Sequence, residues 1–288
     1  MTKLLEGKTK VIQRLLTNNL CIIISKNTIT ANDDPSLTKE FETKAIAANN
    51  TTCNVFQLLA NKGIPVAFKE RLSDNSFLAD YCKMIPLEVV ARRYAVGSYL
   101  KRVPEFAVNE GEKPYKFDDL CIEFFLKTTE GKCIFDGKEL IAGLLVEDPY
   151  IDSIHSTNWR LLEPKLPYSD DKSYIADFDP SSIIDFNINI NHNTNLSIER
   201  FVEITKNVFE ILEEAWKNEL CDLIDFKIEF GITMDGRLVV SDVIDNDSWR
   251  LECNNEDYSK QSFRDGESLT DVERKYLRVM EMSNNFVK

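Results

Sequence analysis

The residues best suited to chemistry lie in Leu223-Ile-Asp-Phe-Lys-Ile-Glu-Phe-Gly231 and in Leu238-Val-Val-Ser-Asp-Val243, joined by Ile-Thr-Met-Asp-Gly-Arg. Period-two alternation predicts a strand with Ile224, Phe226, Ile228 and Phe230 on one face and Asp225, Lys227 and Glu229 on the other. Asp235-Gly236 reads as a two-residue hairpin turn, which pairs Met234 with Arg237 and, counting back, Glu229 with Asp242. Carboxylates opposed on a sheet, about 4.5–5.5 Å apart, repel each other unless a cation lies between them. Magnesium suits such a pair, because it takes one or two carboxylates and completes its shell with phosphate oxygens and water. The competing reading is a solvated acidic face on an edge hairpin, and a three-residue loop would shift the register and break the pair.

Three further clusters carry polar chemistry. Asp245-Asn-Asp247-Ser-Trp-Arg250 follows the same strand end, where loops tend to hold function, although a turn with a surface arginine has the same spelling. Arg92-Arg93-Tyr-Ala-Val-Gly97-Ser98-Tyr-Leu-Lys101-Arg102 sets a glycine, a hydroxyl and guanidinium groups where they could grip a phosphate; its alternative is a basic helix end with solvated charges. In Glu6-Gly7-Lys8-Thr9-Lys10 the two lysines share a direction if the segment is extended, and the phosphate-binding pattern GxxxxGK[ST] is absent.

The elements that must position these groups read as α+β. Lys10 to Leu15 and Cys21 to Ser25 form a predicted hairpin around Thr17-Asn18-Asn19. Apolar spacing predicts a helix over about 40–62, closed by Gly63 and Pro65. The Met84 to Val90 segment starts extended, because Ile85 precedes a proline, and reads as a connector between two lobes. Residues 131–195 lack a sustained period and read as an elaborated, partly irregular insertion. One apolar face (Ile198, Phe201, Val202, Thr205, Val208, Phe209, Leu212) marks a helix over 196–217, and Thr270 with Glu273 suggests a capping box for a last helix. No repeat or heptad array is present.

A net charge of −13 over 288 residues argues against a general nucleic-acid or anionic-membrane role, since both are bound by neutralising phosphates. The strongest apolar run, near Cys21 to Ser25, is far short of the ~20 residues that span a bilayer, so a cytoplasmic protein without a membrane segment is expected. Seven scattered cysteines and only His155 and His192 as histidines point to reduced, mostly buried thiols rather than zinc or disulfides.

Taken in order, EGKTK (6–10), MIPLE (84–88), RRYAVGSYLKR (92–102), EFFLK (123–127), DFKIEFG (225–231), SDVIDNDSWRL (241–251) and KQSFRD (260–265) resemble the SAICAR synthetase family, phosphoribosylaminoimidazole-succinocarboxamide synthases, over residues 3 to about 280. The likeness is greatest to the synthetase half of the bifunctional animal enzyme; the carboxylase half has no counterpart in the chain, so ligase activity alone is expected. The resemblance implies two lobes, an N-terminal antiparallel β-rich one (1–85) and a larger α/β one (86–288), with a nucleotide cleft between them.

It also implies a reaction: ATP, carboxyaminoimidazole ribonucleotide and L-aspartate give the succinocarboxamide, ADP and phosphate, with Mg2+ as cofactor. By the same resemblance Lys8, Thr9 and Lys10 would meet the ATP phosphates, Met84 and Leu87 the adenine, and Lys227 the nucleotide, while Glu229 and Asp242 would hold the metal. Arg92, Ser98, Asp247 and Arg250 match ribonucleotide-binding positions, Lys127 lies near the reacting groups, and Lys260 and Arg264 would order the site. Homo-oligomerisation stays open. Three departures bear on aspartate recognition and loop closure: Thr128-Thr129 where the family carries acids, Asn32 in place of a glycine, and the 131–195 insertion. A kinase lacks support, since HRD, DFG and GxGxxG are missing; a non-catalytic nucleotide-binding protein is disfavoured because Lys227, Glu229, Asp242, Asp247 and Arg250 are all present.

Overall fold

The computed structural model describes residues 3–15, 18–31, 35–109, 111–152, 159–183 and 197–288. Asn32, His155 and His192 lie outside the described residues.

Along the chain come β1 (Lys3–Glu6), β2 (Lys10–Leu15), β3 (Leu20–Ser25), β4 (Thr28–Thr30), β5 (Thr38–Glu40), α1 (Lys44–Asn61), β6 (Phe68–Ser73), β7 (Ser76–Asp80), β8 (Cys82–Tyr94), α2 (Ser98–Arg102) and β9 (Lys116–Leu126). The rest runs β10 (Cys133–Phe135), β11 (Lys138–Ile141), β12 (Tyr150–Asp152), β13 (Trp159–Leu162), β14 (Tyr174–Phe178), α3 (Ile198–Asn218), β15 (Cys221–Thr233), β16 (Leu238–Ser241), β17 (Trp249–Cys253), β18 (Glu256–Asp257), α4 (Gln261–Arg264) and α5 (Leu269–Ser283). Among the described residues no helix is long and apolar enough to cross a membrane.

The mixed, mostly antiparallel, two-lobed arrangement expected from the sequence is the one observed. An N-terminal sheet has the order β1-β2-β3-β7-β6, and a nine-stranded sheet runs β14-β13-β12-β9-β8-β15-β17-β18 with β16 also paired to β15. The two sheets are tied by backbone bonds from Val240 N to Pro65 O (2.8 Å) and from Ala67 N to Val240 O (2.9 Å). Helix α1 packs on the N-terminal sheet and against α5, and α3 covers β8, β9 and β15.

Strand β15 is the hinge between sequence pattern and packing. Phe226, Ile228 and Phe230 are buried beneath α3, where Phe209 meets Phe226 and Phe201 meets Phe230 at centroid distances of 5.3 and 5.0 Å. Each fully buried Phe or Ile stabilises the fold by about 1.5–3 kcal/mol, so this face secures β15 and leaves its other face free for charge. Ile224 departs from the alternation because the β15–β17 register slips between Leu223 and Asp225, a bulge that buries Leu223 instead.

Four sequence-based expectations are corrected. Met84 to Glu88 is no linker: it belongs to β8, an interior strand paired with both β9 and β15. Pro86 is accommodated there because the β8–β15 register shifts between the Glu229 and Gly231 pairs, leaving it no ladder bond to donate. The 131–195 stretch contains the β10–β11 hairpin and the strands β12, β13 and β14 that form one end of the large sheet; at three to five residues each they are too short to show a period.

Cys221 and Cys253 form a disulfide, being direct partners across β15 and β17 with Cα atoms 4.2 Å apart. The other five cysteines are free, as expected, and burial pushes the Cys21, Cys53 and Cys133 thiols up to about 11, which keeps them protonated and unreactive. The cap of α5 is Ser268, whose Oγ accepts from Asp271 N at 3.1 Å; Thr270 lies inside the helix, and Glu273 accepts instead from Thr43 Oγ1. Ser-x-x-Asp and Thr-x-x-Glu overlap here, and the outer pair wins.

Ser268→Ala is expected to lower unfolding free energy by about 1 kcal/mol, whereas Thr270→Ala, at an exposed position in the first turn that does not cap the helix, shifts it by less than about 0.5 kcal/mol. Urea denaturation of the two variants checks the assignment, and a larger loss for Thr270→Ala would reverse it.

Candidate functional site

On one edge of β15 the partner changes midway: β17 pairs with Cys221 to Phe226 and β16 with Glu229 to Ile232. The segment from Asp242 to Ser248 leaves the sheet at this junction, opposite Lys227, whose N donates to Ser248 O at 2.8 Å. The charged face of β15 therefore looks out beside a loop that brings Asp242, Asp245 and Asp247 to the same place.

The direct pairing of Glu229 with Asp242 is not what forms. Glu229 pairs with Ser241, because the hairpin loop is Met234-Asp235-Gly236: Thr233 N donates to Arg237 O at 3.0 Å, and Gly236 takes φ +89. Left to alternation, that one-residue shift would turn Asp242 to the opposite face. Instead Asp242 adopts φ +67, unusual for a residue with a side chain, and forms an ion pair with Lys10. Lys10 also lies within electrostatic reach of Glu229, so the two carboxylates converge on one ammonium although they are not cross-strand partners.

Around them the charges alternate. Lys127 Nζ pairs with Glu229, and Lys227 Nζ donates to Glu88 Oε2 at 2.6 Å. Burial works to raise the Glu229 pKa, but Lys127, Lys227 and Lys10 outweigh it and hold the carboxyl below its ordinary value. Glu88 raises the Lys227 pKa against burial, and burial lowers that of Lys10 against the pull of Glu229. Residues 7–9 are not extended: Gly7 N bonds Lys10 O at 2.9 Å, closing a turn between β1 and β2 in which Lys8 O accepts from Thr28 Oγ1 and Thr9 O from Lys26 N. Met84 is exposed at the surface of β8, and Leu87 is wholly buried in the core.

Where acids were expected after Lys127, the structure brings them from elsewhere. Thr128 N donates to Asp148 Oδ1 (2.7 Å), Asp148 N to Thr128 Oγ1 (2.9 Å), and Thr128 Oγ1 to Glu147 Oε2 (2.7 Å). The long excursion from 129 to 146 is thus closed at its neck, with Asp148 set among the charges of Glu88, Lys127 and Lys227.

A second group surrounds Arg250. Asp225 faces Arg92 on β8 and Arg250 on β17, and its Oδ2 accepts from both. Arg92 also donates from Nε to Glu123 (2.6 Å) and from Nη2 to Ser98 Oγ (3.2 Å). A third group is centred on Asp247, which accepts from Tyr276 OH at 2.6 Å and from the ammonium groups of Lys44 and Lys260 at 3.4 Å. Burial favours protonation of Asp247, and Lys44, then Lys260, overcome it to hold the carboxyl far below the usual range. Arg264 stands at the periphery, exposed, near Gln261.

Lys44, Glu88, Glu123, Asp148 and Tyr276 were not singled out from sequence. Lys44 and Tyr276 sit on amphipathic helices, where a lysine or tyrosine ordinarily belongs to a solvated rim, and only the docking of α1 on α5 buries them beside Asp247. A cavity of about 640 Å³ on the α3 side of the sheet, lined by Arg93, Lys116, Glu213 and Lys217 among others, contains none of the candidate residues.

Among the described residues no three or more His, Cys, Asp or Glu side chains cluster as metal ligands. Two converging carboxylates, each balanced by a lysine, nevertheless fit magnesium, whose remaining positions go to phosphate and water, and do not fit zinc or calcium cages.

A family model described as SAICAR synthetase matches residues 3–178 and 160–283. A Multifunctional protein ADE2 from Gallus gallus is 34% identical over 276 residues, covering 93% of this chain and 53% of that protein; the chain spans about half the length of such relatives. A phosphoribosylaminoimidazole-succinocarboxamide synthase from Chloroflexus aurantiacus is 33% identical over 292 residues, covering 98% of this chain and 96% of the relative. Among solved structures, the synthase from Ehrlichia chaffeensis aligns with TM-score 0.72 and 24% identity over 97% of both chains. A SAICAR synthetase described in complex with ADP aligns with TM-score 0.71 and 23% identity, over 96% of this chain and 97% of that one.

Because the Glu229 pKa is depressed from the usual 4.5, its stabilising contribution is complete above that pH and is lost as pH falls through the folded value. Wild type and Glu229→Gln should therefore differ most in melting temperature above about pH 5 and converge in acid, where both side chains are neutral. A gap that widens on acidification would contradict the lysine-held carboxylate.

Proposed function

The chain belongs to the SAICAR synthetase family, and on that premise we propose that it is an ATP-dependent carbon–nitrogen ligase of purine synthesis, joining L-aspartate to the carboxylate of carboxyaminoimidazole ribonucleotide. The observation that carries this reading is the meeting of Lys10, Lys127 and Lys227 with Asp242, Glu229 and Glu88 at the β16–β17 junction. Three ammonium groups beside carboxylates suit the phosphates of a nucleotide and its divalent ion, and little else.

In the proposed reaction the ribonucleotide carboxylate attacks the γ-phosphorus of ATP and releases ADP. The aspartate amine then attacks the activated carbonyl, the C–O bond to phosphate breaks, and the amine loses a proton as the amide forms. Such transfers depend on positioning and charge neutralisation rather than on a protein nucleophile. Lys10 and Lys227 are assigned to the ATP phosphates, Lys127 to the carboxylate under activation, and the Lys8-Thr9 turn and the Met84–Leu87 stretch of β8 to the rest of the nucleotide. Glu229 and Asp242 would hold magnesium, which when bound supplies charge neutralisation on the phosphates.

Ser98 and Arg250 are assigned to the ribonucleotide, with Asp247, Lys260 and Arg264 ordering that end. A synthetase of the same fold is described in complex with ADP, which supports a nucleotide here. The reading places the enzyme in the cytoplasm.

ADP release should require both the ribonucleotide and L-aspartate. A kinase would release ADP without aspartate, and a binding protein would release none. Glu229→Gln and Asp242→Asn should each lower kcat by about 100-fold or more while circular dichroism stays unchanged, since each removes a charge and not core packing. Wild-type turnover by either folded variant at saturating magnesium would overturn the assignment.

A further inference from the structure

We propose that Lys44 and Tyr276 are positioning residues for the ribonucleotide end of the site: neither touches substrate, and together they hold the Asp247 carboxylate in the orientation in which it receives a donor of the ribonucleotide. The inference rests on the reading above that Asp247 lies at that end.

Three side chains grip the Asp247 carboxylate. Tyr276 on α5 donates to Oδ1 at 2.6 Å, while Lys44 at the start of α1 and Lys260 just before α4 each approach Oδ2 at 3.4 Å. The loop beneath is tied as well: Asp247 N donates to Asp245 Oδ1 (2.9 Å), Lys260 N to Asn246 O (3.1 Å) and Asn246 Nδ2 to Tyr258 O (2.9 Å). Asp247 keeps 16% of its side chain exposed, whereas Lys44 is 2% and Tyr276 0% exposed. A ligand can therefore reach the carboxylate but not the ammonium and the hydroxyl behind it. An ionised carboxylate offers about four acceptor sites. With Tyr276 on one oxygen and two ammonium groups at the long end of bonding range on the other, Asp247 retains capacity for a hydroxyl or amine of the ligand.

Lys44 stands where local physics disfavours it. It is the first residue of α1, at the positive end of the helix, where an anion is preferred; no acidic residue stands in that turn, and the Thr43 side chain does not cap it. Ala45 N is satisfied by Asn27 Oδ1 at 3.1 Å instead, and the Thr43 hydroxyl bonds Glu273 on α5. Burial adds a second cost to the same cation. Burial works to lower the Lys44 pKa, and Asp247, then Asp245, outweigh it and raise the value, so the group stays charged. A helix start chosen for stability alone would carry an acid or an apolar residue here, and the match to Asp247 is what the lysine supplies in return.

Tyr276 is fixed through its ring. Ile29, Phe41, Ala47 and Val272 pack around it in a small core separate from the main one, Phe41 meets it edge-on at a centroid distance of 5.5 Å, and Lys44 Nζ lies 5.7 Å from the ring centre. A ring so enclosed cannot swing its hydroxyl away from Asp247. The docking of α1 on α5 thus sets the direction of a carboxylate that belongs to neither helix.

The test reads steady-state KM for carboxyaminoimidazole ribonucleotide, with KM for ATP and the melting temperature as controls. Tyr276→Phe keeps the ring and removes only the hydroxyl; it should raise the ribonucleotide KM about 5-fold or more, with the ATP KM within about 2-fold and the melting temperature nearly unchanged. Lys44→Met should act in the same direction, and Lys44→Arg, which keeps the cation, should recover most of the loss. In an Asp247→Ala background Tyr276→Phe should add less than about 2-fold, because the group it positions is gone. Should the Lys44 or Asp247 variants fail to fold, the contrast between the two KM values in Tyr276→Phe decides alone. If Asp247→Ala leaves the ribonucleotide KM unchanged, the assignment of that end is wrong and this inference falls with it. If Asp247→Ala raises that KM while Tyr276→Phe leaves it unchanged, adds its full factor on top, or raises both KM values together with a loss of melting temperature, the assignment stands and the positioning role is overturned.

Discussion

A strand that carries Asp225, Lys227 and Glu229 on one face can bury the two carboxylates only if each finds a partner, since an unpaired buried charge costs several kcal/mol. That requirement organises the protein. Asp225 is matched by arginines on both flanking strands, Lys227 by Glu88, and Glu229 by Lys127 with Lys10 nearby. The opposite face of β15, with Phe226, Ile228 and Phe230 packed under α3, secures the strand.

The break between β16 and β17 is what turns this row into a site. An uninterrupted neighbour would have covered β15 opposite Lys227; the loop from Asp242 to Ser248 instead leaves the ladder there and returns with three acidic side chains. Asp242 reaches Lys10 by adopting a left-handed backbone, a conformation that costs of order 1 kcal/mol for a residue with a side chain and persists only where the surroundings enforce it.

The two ends of the site are electrostatically unlike. At the β16–β17 junction Lys10, Lys127 and Lys227 are each paired with a carboxylate, an arrangement that can exchange partners when phosphates and a divalent ion arrive. Around Arg250 three guanidinium groups share the two carboxylates of Glu123 and Asp225. Lysines, compact and mobile, suit the first role, and arginines, planar and fixed by bidentate bonding, suit the second.

Alternation along β15, the amphipathic spacing of α1 and α3, and the motif order were legible by themselves, because each depends on residues within a single element. So was the grouping of Lys10, Lys127, Lys227, Glu229 and Asp242, carried by family motifs. The hairpin register was not: a two-residue and a three-residue loop read alike around Asp235-Gly236, and Thr233 bonding across to Arg237 selected the longer one. Short strands between 131 and 195 carry no period, so only their pairing, β10 with β11 and β12 to β14 onto β9, reveals them. The Cys221–Cys253 bond, the burial of Lys44 beside Asp247, and the arrival of Asp148 at Thr128 all join residues far apart in the chain. Local chemistry thus determined which groups this protein could bring to a reaction, and tertiary packing alone decided which of them share a partner, since charge pairing depends on distances that only the folded chain sets.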